Sequence, residues 1–132
     1  MTMKSGIKKT TGINNNDFLF AGTEGAYLGC SIIVGANGVT AGADGRKIVK
    51  AGTPLYGDLE NRATAMTIAG AEGAEAVGLL RHDVDVTNGD VNDALMYHGS
   101  VNLDRLDTAT RALITTDVKA SLKGGIYFFT DN

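Results

Sequence analysis

Glycine constrains this chain more than any other feature of its sequence. It accounts for 18 of the 132 residues, about 14%, where about 7% is usual. Proline occurs once, as Pro54, and the glycines follow no collagen-like period. Glycine suits tight turns, and many turns in a short chain imply many short strands. The composition therefore predicts a mainly β (β-rich α+β) fold, a compact sandwich or barrel of short antiparallel strands.

Short dipeptides mark the predicted turns. Asn37-Gly38, Asp44-Gly45 and Asn88-Gly89 each follow or precede apolar segments. Both residues of such a pair tolerate positive φ, which two-residue hairpin turns require. The chain length is that of one ordinary domain, so we expect a single β-rich domain over residues 18–132.

The segments on either side of Asn88-Gly89 alternate in polarity. Over residues 80–86 the apolar side chains fall on even positions together with His82, and over 91–103 they fall mainly on odd positions. Successive side chains of a strand point to opposite faces, so this pattern predicts a half-buried antiparallel pair. His82 is expected to be half-buried and hydrogen-bonded. Asp93 falls on the apolar face, but its place beside the turn predicts exposure.

The stretch RHDVDVTNGDVND, residues 81–93, is dense in acids and suggests a metal loop or a catalytic carboxylate pair. A calcium-binding EF-hand loop that begins at Asp83 requires Asp or Asn, Gly and Glu where this chain has Thr87, Asn88 and Ala94. A zinc site requires three or four ligands, but the chain has only two histidines and one cysteine. We therefore predict no metal and no cofactor.

Catalysis is the other alternative for this stretch. Asp83 and Asp85 are two positions apart and share a strand face, so acid–base chemistry is geometrically possible. Such chemistry needs a cleft and a perturbed pKa, which exposed aspartates lack. Cys30 lies beside the apolar run SIIV and is expected to be a small buried side chain rather than a catalytic thiol. His98 falls on the polar face, where it is exposed or at an interface. The pattern favours a polar-faced hairpin of a protein that is not an enzyme.

The C-terminal third changes to helical periodicity. Apolar side chains recur at helical spacing within residues 106–125, with Asp107 or Thr108 as the N-cap. Residues 115–117 predict a break and a second cap, and the following glycine pair ends the helical segment. The segment IYFF, residues 126–129, has strand character and is expected to close the sheet.

Residues 1–17 differ from the rest in charge. They carry Lys4, Lys8 and Lys9 against Asp17, a net charge of +2 (3 − 1), so the remaining residues sum to −5 (−3 − 2). They lack helical or strand periodicity, which predicts an extended N-terminal arm that is flexible when the protein is alone. They also lack the apolar core of a signal peptide, so we expect synthesis in a cytoplasm. The overall charge and the absence of a long apolar run give no reason to expect nucleic acid or a membrane as partner.

Several segments occur in a recognisable order: AGTPLYGDLENRA, AEAVGLLRHDVDV, ALMYHGSVNLDRL and a short helical stretch that ends in GGIYFF. In this order and spacing, residues 51–129 resemble phage head decoration proteins of the lambda type, also called capsid cement or stabilisation proteins. The best matches are Thr53-Pro54-Leu55, Ala76-Val77-Gly78 and a His98-Gly99 turn followed by a strand. None of these is a catalytic fingerprint, so the specificity lies in their order.

The resemblance implies a structural role on the outer surface of a virion. Such proteins are small and mostly β, and they form homotrimers at three-fold or quasi-three-fold positions of an expanded head, where they clamp the major capsid protein. In relatives the N-terminal arm orders on the capsid and adds a strand to a capsid sheet. The equivalent segment here is about residues 5–16, with Ile7 and Ile13 as anchors. Lys4, Lys8 and Lys9 are the expected partners of acids on the shell.

Other classes of function remain as alternatives. The chain is also compatible with the capsid-anchoring base of a head fibre, although it has no repeat or coiled-coil extension. A surface glycan-binding module would use exposed aromatics, for which Tyr27, Tyr56 and Tyr97 are candidates without a visible cluster. An acid-dependent enzyme would be centred on Asp83 and Asp85.

Overall fold

The fold is mainly β, as the glycine content predicts. The structure is a computed structural model that describes residues 17–20, 25–69 and 75–131. Its strands in chain order are β1 (Leu28–Val34), β2 (Ile48–Val49), β3 (Pro54–Tyr56), β4 (Thr67–Ile68), β5 (Gly78–Leu80), β6 (Val84–Asp85), β7 (Val91–Asn102) and β8 (Ile126–Phe129). A 3-10 turn (Leu103–Arg105) and helices α1 (Thr108–Leu113) and α2 (Thr116–Leu122) lie between β7 and β8.

The long strand β7 organises the sheet. The hydrogen-bonded order is β1-β7-β5-β3-β4 with antiparallel neighbours, and β8 pairs in parallel with the end of β7. Strands β2 and β6 form a separate antiparallel pair. Val101 of β7 pairs with both Phe128 of β8 and Leu19, so residues 18–20 and β8 flank the same end of β7. The two ends of the described chain therefore meet there.

Hydrophobic side chains pack in two clusters that share β7. Leu95 and Met96 are neighbours in β7 and both are fully buried, but they belong to different clusters. The first cluster contains Phe18, Leu19, Ala69, Ala76, Leu79, Met96, Val101, Leu103, Ile114, Val118, Leu122 and Ile126. The second contains Ile32, Val34, Val49, Leu55, Met66, Leu80, Val84, Val86 and Leu95. The helices cover one side of the sheet and the β2–β6 pair covers the other, which is the predicted sandwich.

A β-bulge interrupts β7 at Tyr97. Gly29 of β1 pairs with Met96 and Leu28 pairs with His98, so Tyr97 has no partner on β1. An extra residue bends a strand and shifts the alternation of its side chains, and both Tyr97 and His98 are exposed. The predicted His98-Gly99 turn is therefore wrong, because this pair lies inside a continuous strand.

The hairpin predicted around Asn88-Gly89 is only partly correct. Strands β5 and β7 do pair antiparallel, but Leu80 lies opposite Leu95, whereas a two-residue turn at Asn88-Gly89 would place it opposite Tyr97. Beyond Leu80 the chain leaves β7, and β6 pairs with β2 instead. The pairing of β6 with β2 buries Val84 and Val86 in the second cluster, and full burial, as at Val86, stabilises the fold by roughly 1.5–3 kcal/mol per side chain.

The other predicted turns form, but Asn37-Gly38 does not close a hairpin. Gly38 lies in a turn with a φ of +84°, yet the flanking strands β1 and β2 belong to different sheets. At Asp44-Gly45 the chain folds back on itself, since Gly42 N–H donates to the Arg46 carbonyl at 2.9 Å. A local dipeptide thus predicts the turn, whereas the partner of the next strand is decided by burial.

The C-terminal third is confirmed as short helices followed by a strand. Thr115 caps α2, because its hydroxyl accepts a hydrogen bond from Val118 N–H at 3.3 Å. Asp107 is the N-cap of α1, but its side chain makes no capping bond. Thr110 is the buried residue of α1, whereas the apolar Ala109 beside it is exposed. Among the described residues no helix is long and apolar enough to cross a bilayer.

Candidate interaction site

Acids of the stretch 81–93 hold loops in place. Asp83 accepts a hydrogen bond from Ala51 N–H at 2.7 Å, and Asp90 accepts one from Ala36 N–H at 2.9 Å. Both donors are backbone N–H groups of loops that are distant in sequence. Such groups need another hydrogen-bond partner because no neighbouring strand bonds to them. These carboxylates therefore act as structural caps on neighbouring loops rather than as members of one shared site.

His82 and Asp93 exchange the environments that the sequence predicts for them. The His82 side chain is 60% exposed, and that of Asp93 is only 16% exposed. Asp93 accepts a hydrogen bond from His82 N–H at 3.2 Å and lies 3.1 Å from His82 Nδ1. The cause is that the chain leaves β7 after β5. His82 therefore has no hydrogen bond to the backbone of β7, and its N–H bonds to the Asp93 carboxylate instead.

Asp85 is held in its ionised form. Thr87 donates its hydroxyl and its backbone N–H to this carboxylate, and these bonds lower the pKa of Asp85 below the ordinary value of 3.8. A general acid at neutral pH requires the opposite shift. Asp83 has a different partner, Ala51, so the geometry does not favour the acid–base pair that the spacing of Asp83 and Asp85 allows.

Histidine and cysteine side chains do not assemble into a metal centre in the part of the chain that the structure describes. No group of three His, Cys, Asp or Glu side chains there is placed to hold an ion. His98 is exposed on β7, which is one of the positions the sequence left open for it. Cys30, expected to be buried, is only half-buried, at the margin of the second cluster.

Arg81 fixes the place where residues 17–20 join the sheet. Its Nη2 lies 2.9 Å from Asp17 Oδ2, with side chains only 11% and 21% exposed. The guanidinium also lies over the rings of Phe18 and Tyr27, at 5.4 and 4.8 Å from their centroids. Asp17, the last residue of the predicted arm, is thus attached to the domain. The side chains expected to contact the shell lie outside the described residues: Ile7, Lys8, Lys9 and Ile13.

An exposed aromatic surface lies on the strands that flank the end of β7. Phe128 of β8 packs against the first cluster, whereas Tyr127 and Phe129 point away from it and are 55% and 41% exposed. The Phe129 ring stacks on Phe20 with a centroid distance of 4.5 Å. We call Phe20, Tyr127 and Phe129 the terminal aromatic face.

The sequence does not single out this face. All four residues of IYFF are apolar, so no alternation of polar and apolar positions separates the inner side of β8 from the outer side. These four residues therefore carry no signal that marks the exposed side.

The first half of β1 is an open strand edge. Within residues 17–20, 25–69 and 75–131, this strand is the outermost of the sheet, and Met66 is the residue that bridges to its edge, in parallel at Val34. Farther along, Arg62 Nη1 donates to the Ser31 carbonyl at 2.8 Å. Gly29 and Ser31 are exposed, so their backbone groups are accessible to another chain.

The tyrosines considered for glycan binding are held on different elements. The Tyr27 ring is occupied by the Arg81 guanidinium. Tyr56 lies on β3 and Tyr97 at the bulge of β7, and β5 runs between these strands. They do not form the single aromatic platform that a glycan groove requires.

Comparison with known proteins does not identify this surface. No known protein family matches the chain, and no curated protein matches it significantly.

Proposed function

We propose that this chain is a structural protein of a phage head, which binds the outside of the expanded capsid as a homotrimer at three-fold and quasi-three-fold positions and stabilises the shell. The order of segments over residues 51–129 resembles that of lambda-type head decoration proteins. The mainly β sandwich agrees with the fold that this resemblance implies. The partners in the proposal are the major capsid protein and the sister subunits.

The observation that carries the proposal is the terminal aromatic face. Soluble monomers rarely expose large apolar side chains in a group, and such groups mark interaction surfaces. Tyr127 and Phe129 are both substantially exposed on the outer side of β8, and Phe20 extends the group by stacking on Phe129. Aromatic side chains contribute strongly to binding when a partner covers them. A sister subunit or the capsid provides that cover.

The N-terminal arm is the second contact in the proposal. The half-buried pair of Arg81 and Asp17 gives the arm a fixed point of attachment. Residues 5–16 add a strand to a capsid sheet, with Ile7 and Ile13 as anchors and the adjacent lysines as partners of shell acids. Ordering the arm costs conformational entropy, so each single contact is of modest affinity. Many copies bound only to the expanded shell nevertheless stabilise that state strongly.

Co-sedimentation with expanded and unexpanded heads of the phage that encodes the protein tests the proposal. We expect saturable binding to expanded shells alone, near one copy per major capsid subunit. The matched variant lacks residues 1–16 but keeps Asp17, and its fold is first compared with the parent by circular dichroism. Loss of binding in this folded variant assigns the arm, and full binding would contradict the arm's role.

The stoichiometry distinguishes the alternatives. A few copies per capsid hexamer would point to the base of a head fibre. Binding to neither shell would overturn the proposal. The terminal aromatic face would then be tested as a glycan-binding surface on arrays, since exposed aromatic rings also stack on sugars.

A further inference from the structure

We propose that Asn37 is a site of spontaneous covalent modification, at which the side-chain amide is lost and the residue becomes aspartate or isoaspartate. The chain has two Asn-Gly pairs, Asn37-Gly38 and Asn88-Gly89, and the sequence of each pair is the same. The structure distinguishes them, because it leaves the reacting atoms of the first pair free and fixes those of the second. The modification is independent of the proposed function.

The reaction is an attack of the backbone on the neighbouring side chain. The Gly38 nitrogen loses its proton to hydroxide and bonds to Cγ of Asn37, and the Cγ–Nδ2 bond breaks. The leaving nitrogen takes a proton from water and departs as ammonia, so hydroxide is regenerated and a cyclic succinimide remains. Water then opens the ring at either carbonyl, which gives aspartate or isoaspartate. Glycine favours the reaction because it has no Cβ to obstruct the ring.

The reacting atoms of the first pair are accessible. Asn37 and Gly38 are both exposed, and among the described residues no partner bonds the Gly38 N–H or the Asn37 amide. Apart from the two neighbours of Gly38 in the chain, no described residue has a heavy atom within 4 Å of the position that a Cβ would occupy there. Hydroxide therefore reaches the N–H, and there is open space for the ring that forms.

The turn that carries Asn37 is closed by a single backbone hydrogen bond, from Val39 N–H to the Ala36 carbonyl at 3.2 Å. The flanking strands β1 and β2 belong to different sheets, so no ladder of hydrogen bonds continues across the turn. The turn can therefore rotate into the geometry that ring closure requires without breaking a strand pair. Local rearrangements of this kind cost much less free energy than unfolding of the domain.

The second pair is fixed at the atom that must react. Gly89 N–H donates to the Val86 carbonyl at 3.2 Å, and Val86 is fully buried in the second cluster. Thr87 adds a second attachment, since its hydroxyl accepts a hydrogen bond from Lys47 N–H at 2.8 Å. Attack by the Gly89 nitrogen requires this turn to open first, so the free energy of opening slows the deamidation of Asn88.

Modification of Asn37 changes the contact between its loop and the loop that follows Asn88. Ala36 N–H, one residue before Asn37, donates to Asp90 Oδ1 at 2.9 Å. A new carboxylate beside this bond repels that of Asp90, and isoaspartate also lengthens the main chain of the turn by one carbon. The bond is exposed and lies outside the sheet, so we expect the modified protein to lose this contact and to keep its fold.

Incubation of the purified protein in mildly alkaline buffer tests the proposal. Peptide mass mapping follows the gain in mass at Asn37 and Asn88, both in the folded protein and in guanidinium chloride. The unfolded chain is the reference, because there the two rates depend only on neighbouring residues. Relative to this reference, folding is expected to slow Asn88 at least about fivefold more than Asn37. A smaller ratio, or stronger slowing of Asn37, would overturn the proposal.

Two variants supply a second measurement. Asn37→Gln keeps an amide but requires a larger ring, so this position is expected to show no gain in mass over the same period. Thr87→Val removes the hydroxyl that accepts from Lys47 N–H and keeps the shape of the side chain. It is expected to raise the folded rate of Asn88 at least about threefold, relative to its own unfolded reference, and to leave Asn37 unchanged. An equal gain in mass at Gln and Asn, or an Asn88 rate below that rise, would contradict the proposal.

Discussion

Asn102 and Asp131 join the end of β7 to the last residues of the described chain. The buried Asn102 side chain donates through Nδ2 to Asp131 Oδ1 at 2.7 Å. Asp104 completes the arrangement, since its N–H donates to Asn102 Oδ1 and its carboxylate accepts from Asp131 N–H at 2.8 Å. The strand that carries Tyr127 and Phe129 is therefore held at its C-terminal end as well as along β7.

Asn102→Ala is expected to lower the free energy of unfolding by about 1–3 kcal/mol, because it leaves the Asp104 N–H and the Asp131 carboxylate without their partner. Asn92→Ala is the matched control, since Asn92 lies on the same strand and is exposed. Urea denaturation measures both variants. Equal stabilities of the two variants would show that the Asn102 contacts contribute nothing.

The ion pair of Arg81 and Asp17 leads to a prediction about the relative stabilities of a single and a double variant. Asp17→Ala leaves a mostly buried guanidinium without its carboxylate and is expected to destabilise the protein by about 2–4 kcal/mol. Arg81 Nε is buried without a hydrogen-bond partner, so the charge is poorly compensated even in the parent. The double variant Asp17→Ala/Arg81→Met is therefore expected to be more stable than Asp17→Ala alone. A double-mutant cycle in urea checks this, and a double variant less stable than the single one would contradict it.

Local signals predicted the parts of the fold that depend on neighbouring residues. The cap at Thr115 and the turns at Asp44-Gly45 and Asn37-Gly38 form because the required φ angles and hydrogen bonds lie within a few residues. The partner of β6 was not predictable in this way. It depends on the burial of Val84 and Val86 against residues far away in sequence, and the reversed environments of His82 and Asp93 follow from it.

The candidate site was less predictable than the fold because it, too, depends on contacts between residues that are distant in sequence. The terminal aromatic face exists because the first cluster covers only one side of β8, and nothing within IYFF indicates which side. The open edge at Gly29 and Ser31 depends on the position of β1 in the strand order, which sequence alone does not specify. The positive charge of the arm follows directly from its composition. The proposed role of its residues in binding depends on a partner, which the sequence of this chain does not specify.

The stability of the protein in acid is expected to depend on Asp104. The N–H of Asp131, and then the Arg111 guanidinium, hold the pKa of Asp104 below its ordinary value of 3.8. The folded state then binds fewer protons than the unfolded state, so this contribution is present above about pH 4 and is lost as the pH falls through the lowered pKa. Asp104→Asn is expected to flatten the fall of the melting temperature below about pH 4.

Asp107→Asn is the matched control for this experiment, because the Asp107 side chain makes no capping hydrogen bond. Thermal melts from pH 7 to pH 2.5 compare the parent with both variants. If the Asp104 variant loses stability in acid as steeply as the parent, the bonds of Asp104 to Asp131 and Arg111 do not favour its ionised form.

Tyr127 separates a role in binding from a role in folding. Its ring is among the most exposed apolar side chains described, so Tyr127→Ser is expected to change the free energy of unfolding by no more than about 0.5 kcal/mol. Covered by a partner, an aromatic anchor is worth considerably more, and we expect roughly tenfold or more weaker binding to expanded heads. Tyr56→Ser is the matched control, since Tyr56 is similarly exposed but lies on β3, away from the terminal aromatic face. Equal binding of the two variants in co-sedimentation titrations would remove this face from the proposed interface. A defect in the Tyr127 variant alone would assign it there, because both variants keep the same fold and the same arm.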